Sequence, residues 1–206
     1  MLSQAEKGGV QNTIQNCVTV LQNDPVLADS IRLNLLSERI DIVKPMGWQR
    51  SGPTLTDTDM MYILRRMEKY GLYSEKRVSA AIRIVANENH YHPIRDYLND
   101  LKWDGTERIS HALHRFLGAA EDELTAEALK IFLLGAIKRV FHPGCKFEMM
   151  LCLVGGQGAG KSSFFRLLAI KDEWFSDDLR RMDDDNVFRK LQGHWIMEMS
   201  EMIATA

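Results

Sequence analysis

The chain has 206 residues, 45% of them apolar and 26% charged, with a formal net charge of −2. That apolar share is enough for one large or two small folded domains and excludes a disordered or fibrous chain. The near-neutral charge excludes nucleic-acid binding through bulk charge and leaves only local basic faces for it.

Residues 10–21 place Val10, Ile14, Cys17, Val18 and Leu21 at helical spacing and stop before Asn23-Asp24-Pro25, so a first helix is expected there. Residues 31–35 and 40–43 alternate apolar and polar around Ser37-Glu38-Arg39, the pattern of a short hairpin. A loop rich in Gly and Pro follows at 45–53, with Trp48 reading as its anchor against the core rather than as a ligand-stacking residue. Thr56 with Asp57 and Asp59 offers a helix start before a Met-rich stripe (Met60, Met61, Ile63, Leu64, Met67) expected in the core. Ser74 caps a further helix through Val85, and His92-Pro93 opens a short one. A turn at 103–106 leads into a helix starting near Thr106 and ending at Leu117-Gly118. Glu121-Asp122-Glu123 start a longer one that Pro143-Gly144 ends. Residues 1–118 thus read as a mostly helical module, and 119–206 as a second domain.

Met149-Met150-Leu151-Cys152-Leu153-Val154 is an apolar run of strand length, and residues 163–169 read as the opening of a buried helix. Between them Gly155-Gly156-Gln157-Gly158-Ala159-Gly160-Lys161-Ser162 fits the phosphate-binding pattern G-x-x-x-x-G-K-[ST] at every constrained position. Glycines let backbone N–H groups turn inward, the helix N-terminus adds partial positive charge, Lys161 reaches the β/γ-phosphates and the Ser162 hydroxyl ligates Mg²⁺. Gly155 to Ser162, with Ser163 after it, are therefore candidates to bind a nucleoside triphosphate and its Mg²⁺.

Residues 174–178 read as a connector. Asp183-Asp184-Asp185 precede a helix through Val187, Phe188 and Leu191 and read as capping acids rather than metal ligands. Residues 194–201 form an apolar strand ending in carboxylates, where an acid could hold Mg²⁺ or orient the attacking water. Glu201 ranks first as the catalytic and metal-linked acid and Glu198 second, the alternative being an edge strand with two solvated glutamates.

Cys17, Cys145 and Cys152 lack metal-ligand spacing and read as reduced thiols. His111 and His114 share a helix face without a third ligand and read as ordinary histidines. No apolar run approaches the roughly 20 residues of a membrane span. The polar N-terminus lacks a signal-peptide core, so the expected location is cytoplasmic, without a membrane partner.

Residues 87–98, 101–109, 141–146 and the loop at 154–163 together closely resemble the virulence-associated protein E family of phages and other mobile elements. The resemblance implies an α/β chain in which a mainly helical N-terminal module precedes a P-loop NTPase domain of AAA+-like parallel-sheet type. It also implies a helicase-type ATPase, a hydrolase using ATP and Mg²⁺, that acts on single-stranded DNA in replication initiation, in a homo-oligomeric ring. Carried over by residue, 155–162 corresponds to Walker A, with Lys161 gripping phosphate, and 195–201 to a Walker B-like motif. There Ser200 stands where many relatives have aspartate. The arginine finger and remaining strands that such ATPases carry further along have no counterpart here, so the domain is expected to be truncated. The competing expectation is a regulatory nucleotide-binding protein without turnover. Basic residues to watch for DNA are Lys138, Arg139, Lys146, Arg95, Lys102, Arg108 and Arg115.

Overall fold

The first helix begins where Thr13 can cap it. In the computed structural model, which describes residues 2–4, 8–179 and 187–199, α1 spans Ile14–Asn23 and the Thr13 side chain accepts from Asn16 N. The helix thus starts later than the periodicity alone suggested, because a capped start satisfies one of the free first-turn N–H groups. The buried Asn16 side chain bonds both Ser3 N and Ser3 O, pinning the N-terminal segment.

The chain divides into two compact units, Met1–Pro93 and Ile94–Ala206. In the first, β1 (Ile31–Asn34) and β2 (Arg39–Ile42) form the expected antiparallel hairpin, with Ile31 opposite Ile42. Helix α2 (Asp57–Met67) opens with a full capping box between Thr56 and Asp59. Helix α3 (Glu75–Glu88) follows Ser74, whose hydroxyl makes no capping bond. Cys17, Leu21, Ile31, Ile63, Met67, Val78 and Ile82 close the core between these elements. The Met-rich stripe is only partly core. Ile63 and Met67 are fully buried, whereas Met61 is 63% exposed, since residue 61 falls on the opposite side of α2 from the 63/67 seam.

Two ion pairs with buried carboxylates brace this unit. Arg66 pairs with Asp24, and Arg50 with Asp59, which also accepts from Trp48 Nε1 at 2.8 Å. Burial alone would raise both carboxyls. For Asp59, Arg50, Trp48 and the Thr56 amide and hydroxyl outweigh burial and hold the carboxyl well below the usual range. For Asp24, Arg66, the Tyr70 hydroxyl and the amides of Val26 and Leu27 do the same.

In the second unit α4 (Pro93–Asp100) is followed by α5 (Ile109–Leu117), which starts three residues after Thr106 and ends on left-handed Gly118. Asp104 and Arg108 pair in the turn before it. Helix α6 (Glu123–Phe141) is capped by Asp122 and packs against α5 through Leu113 and Leu129. Residues 149–154, expected as a strand, run without strand pairing among the described residues. Leu151 and Leu153 pack toward the α5–α6 core, and Val154 is 99% exposed. A strand needs a ladder partner, and an apolar run can lie extended without one. Helix α7 (Lys161–Leu168) buries only Phe164 fully, so it is one-sided rather than buried. The expected connector at 174–178 contains a strand, β3 (Phe175–Ser176), which pairs in parallel with β4 (Ile196–Met197). Between them lies α8 (Val187–Leu191).

The fold is therefore α/β, about 48% helix with small sheets. The expected multi-stranded parallel sheet is represented among the described residues by the β3–β4 pair alone. No helix among those residues is long and apolar enough to cross a membrane.

Candidate functional site

The loop at 155–162 is largely exposed and shaped by backbone conformations that favour glycine: Gly158 has φ +79° and Gly160 +81°. Gly160 is the residue on which α7 begins. At that helix start the first-turn N–H groups lack intrahelical partners and the helix dipole presents its positive end. Lys161 Nζ donates to Gly155 O at 2.8 Å and to Gly156 O at 2.9 Å, so the ammonium is folded into the mouth of its own loop.

Ser162 Oγ donates to Glu198 Oε1 at 2.7 Å across 36 residues of sequence. The other carboxylate oxygen of Glu198 is buried with no partner. Glu198 follows β4 directly, and its backbone N–H donates to Ser176 O at 2.8 Å, so the β3–β4 pairing sets its position. Its placement is braced further. Trp195 N donates to Trp174 O, Trp195 Nε1 reaches Ala136 O of α6, and Trp174 lies edge-on to both Trp195 and Tyr97.

The Ser162 hydroxyl and the Glu198 carboxylate, one of whose oxygens is unsatisfied, form at the foot of the glycine-rich turn a donor set that fits Mg²⁺. That ion commonly takes one or two protein oxygens and completes its shell with water and phosphate. Among the described residues no three His, Cys, Asp or Glu side chains form an all-protein metal site.

The structure brings Lys161, Ser162 and Glu198 together. Glu201 lies outside the described residues, as does the triple aspartate at 183–185. His111 meets Glu121, and His114 Nδ1 bonds Ala119 O. Several of the basic candidates are engaged locally. Arg95 bonds Val140 O, Arg108 pairs with Asp104, Arg139 bonds Phe147 O, and Lys146 pairs with Glu148.

An apolar cavity of about 520 Å³ beside the loop was not anticipated from the residue pattern. Gly160 and Ser163 form part of its wall, with Ile109, Phe116, Leu133 and Leu167 from α5, α6 and α7 around it. The signal available was the spacing of Ile109, Ala112 and Phe116 on one face of α5, with Ile109 and Phe116 left 41% and 66% exposed.

Fold and site define a mixed α/β protein whose second unit carries a glycine-rich turn facing a carboxylate. Residues 98–206 match the virulence-associated protein E-like domain. The chain belongs to that family. The matched region lies within the unit that carries the loop, and the first unit falls outside it. No curated protein matches the chain.

Proposed function

We propose that the second unit binds Mg²⁺-ATP at residues 155–163 and serves a helicase-type P-loop ATPase that acts on DNA in the replication of a mobile element. The observation that carries this reading is the Ser162–Glu198 contact, with its spare carboxylate oxygen, at the start of α7. Backbone N–H groups at the start of α7 cradle the phosphates, and Lys161 exchanges two neutral carbonyl partners for phosphate oxygens. Ser162 and Glu198 would hold Mg²⁺, which, when bound, neutralises developing phosphoryl charge. The adenine and part of the ribose would occupy the cavity between α5 and α7, whose volume lies within the usual range of small-ligand pockets.

The Ser162–Glu198 contact supports Glu198 as a metal-linked acid, and Glu201 lies outside the described residues. Glu201 remains a candidate catalytic and metal-linked acid beside it, one that could also orient the attacking water. Calorimetric titration of the folded chain with Mg²⁺-ATP tests the binding, and phosphate release with and without single-stranded DNA tests the turnover. A folded chain that binds no nucleotide would end this proposal. Binding without any phosphate release, with or without DNA, would favour the regulatory nucleotide-binding alternative.

A further inference from the structure

Helix α2 and the turn after it carry Tyr62, Arg65, Arg66 and Lys69 at i, i+3, i+4 and i+7, one face of the helix. The acids at 57 and 68 fall on the other side, and Asp59, on the same side, is buried and paired with Arg50. Tyr62 is stacked on Trp48, with ring centroids 4.9 Å apart and planes 8° from parallel, and the Arg65 guanidinium lies 5.5 Å from the Tyr62 ring centre. These five side chains line one cleft. Trp48 also lines an adjoining, wider cleft with Lys44 and Arg50. Among the described residues no acid lines either cleft, although the chain as a whole carries a net charge of −2.

Three of the five cations are partly committed: Arg66 to Asp24, Arg50 to Asp59 and Lys44 to Asp29. Arg65 and Lys69 are exposed and have no carboxylate partner among the described residues. A stacked aromatic pair lining a cleft with unneutralised cations combines what a flexible polyanion with planar bases requires: charges to track phosphates and aromatic rings against which a base can pack. A duplex buries its base faces, and a run of aspartates and glutamates offers no aromatic plane.

We propose that the Trp48–Tyr62 stack, with the basic stripe Arg65, Arg66 and Lys69, is a docking site for single-stranded nucleic acid. The inference rests on the nucleotide-site reading only in the choice of partner. It needs no bound nucleotide and lies in the unit outside the matched family region.

The test uses the full chain without nucleotide, titrated into a fluorescein-labelled oligodeoxythymidylate of about 15 nucleotides, the upper end of a single-site footprint. Fluorescence anisotropy is followed across a salt series. Binding that weakens with salt is expected. The double variant Arg65→Glu/Lys69→Glu should lose at least about tenfold in affinity. Its salt slope should shrink by about 1.4, roughly 0.7 for each single-strand phosphate that is no longer neutralised. Circular dichroism and Mg²⁺-ATP binding of that variant should match the wild type, because neither side chain takes part in the core or the loop. An abasic strand of equal length should bind more weakly, since it keeps the phosphates and lacks the faces that stack. The proposal is overturned if the double variant binds the oligonucleotide as the wild type does, if the abasic strand binds equally well, or if polyglutamate of matched charge displaces the oligonucleotide at equal concentration.

Discussion

Replacing Lys161 by alanine separates the function of the loop from its stability. Its ammonium has two neutral carbonyl partners at the surface, Gly155 O and Gly156 O, which turn to water when it is removed. Unliganded stability should therefore change by no more than about 0.5 kcal/mol. Nucleotide binding should suffer far more. Two hydrogen bonds from an ammonium to phosphate oxygens, at about 1.5–3 kcal/mol each, come to roughly 3–6 kcal/mol, or about 10²- to 10⁴-fold in Kd. In a thermal melt at a nucleotide concentration about 100 times the wild-type Kd, the wild type should gain about 2.7 kcal/mol. For a domain of this size that is a rise of roughly 10 °C in Tm, and Lys161→Ala should show almost none of it. The reasoning is refuted if Lys161→Ala binds Mg²⁺-ATP within a few-fold of the wild type, or if its unliganded Tm falls by more than a few degrees.

Glu198→Gln should weaken the Mg²⁺-dependent part of nucleotide affinity by about tenfold or more while leaving metal-free binding unchanged, as calorimetry with and without Mg²⁺ would show. Gly135→Ala would drive a Cβ into the Phe147 ring. It should cost about 1–3 kcal/mol, and less once Phe147→Ala makes room, a non-additivity that denaturant melts of the three variants would reveal. The depressed carboxyls of Asp24 and Asp59 bind fewer protons folded than unfolded. Their stabilisation is complete above the unfolded value near pH 4 and is lost as pH falls from there through the folded values, so Tm should be level above about pH 5 and drop in acid. Asp59→Asn should lower stability at neutral pH by roughly 1–3 kcal/mol, because it removes the charged partner of Arg50, which keeps only the carbonyls of Ile42, Pro53 and Thr54, and should flatten the acid limb. An acid limb as steep as the wild type's would contradict that assignment.

What was legible in the sequence is what is decided locally. Thr56 with Asp59, Asp122 with Thr125, and Gly118 at the end of α5 mark helix boundaries because each cap closes within three or four residues. The 31–42 hairpin was legible for the same reason, its partner strands being neighbours in the chain. Residues 149–154 were misjudged because an apolar run fixes neither burial nor pairing: Met149, Met150 and Val154 are exposed, and a strand is defined by another strand. Phe175 and Ser176 were missed because a two-residue strand has no period to read. The loop itself stood out, since its glycines and lysine are fixed by chemistry at set spacing. That Glu198 meets Ser162 was not legible, because it depends on the long-range β3–β4 pairing that sets where β4 ends. The cavity draws its walls from three helices, and only the stripe on α5 hinted at it.

The Trp174–Trp195 contact gives the protein an optical gauge. The two indoles sit 6.2 Å apart and nearly perpendicular, Trp174 is 3% exposed, and the Lys171 ammonium lies over its ring. Trp103, by contrast, is 82% exposed. Iodide in solution quenches the emission of Trp103 while leaving that of Trp174 almost untouched. With the half-buried Trp48 replaced by phenylalanine, the residual light reports on that pair of chromophores, one of them joined to Glu198 through the two residues of β4. A shift of that carboxylate on ligand arrival would register as a change in unquenched emission, with no label added to the chain.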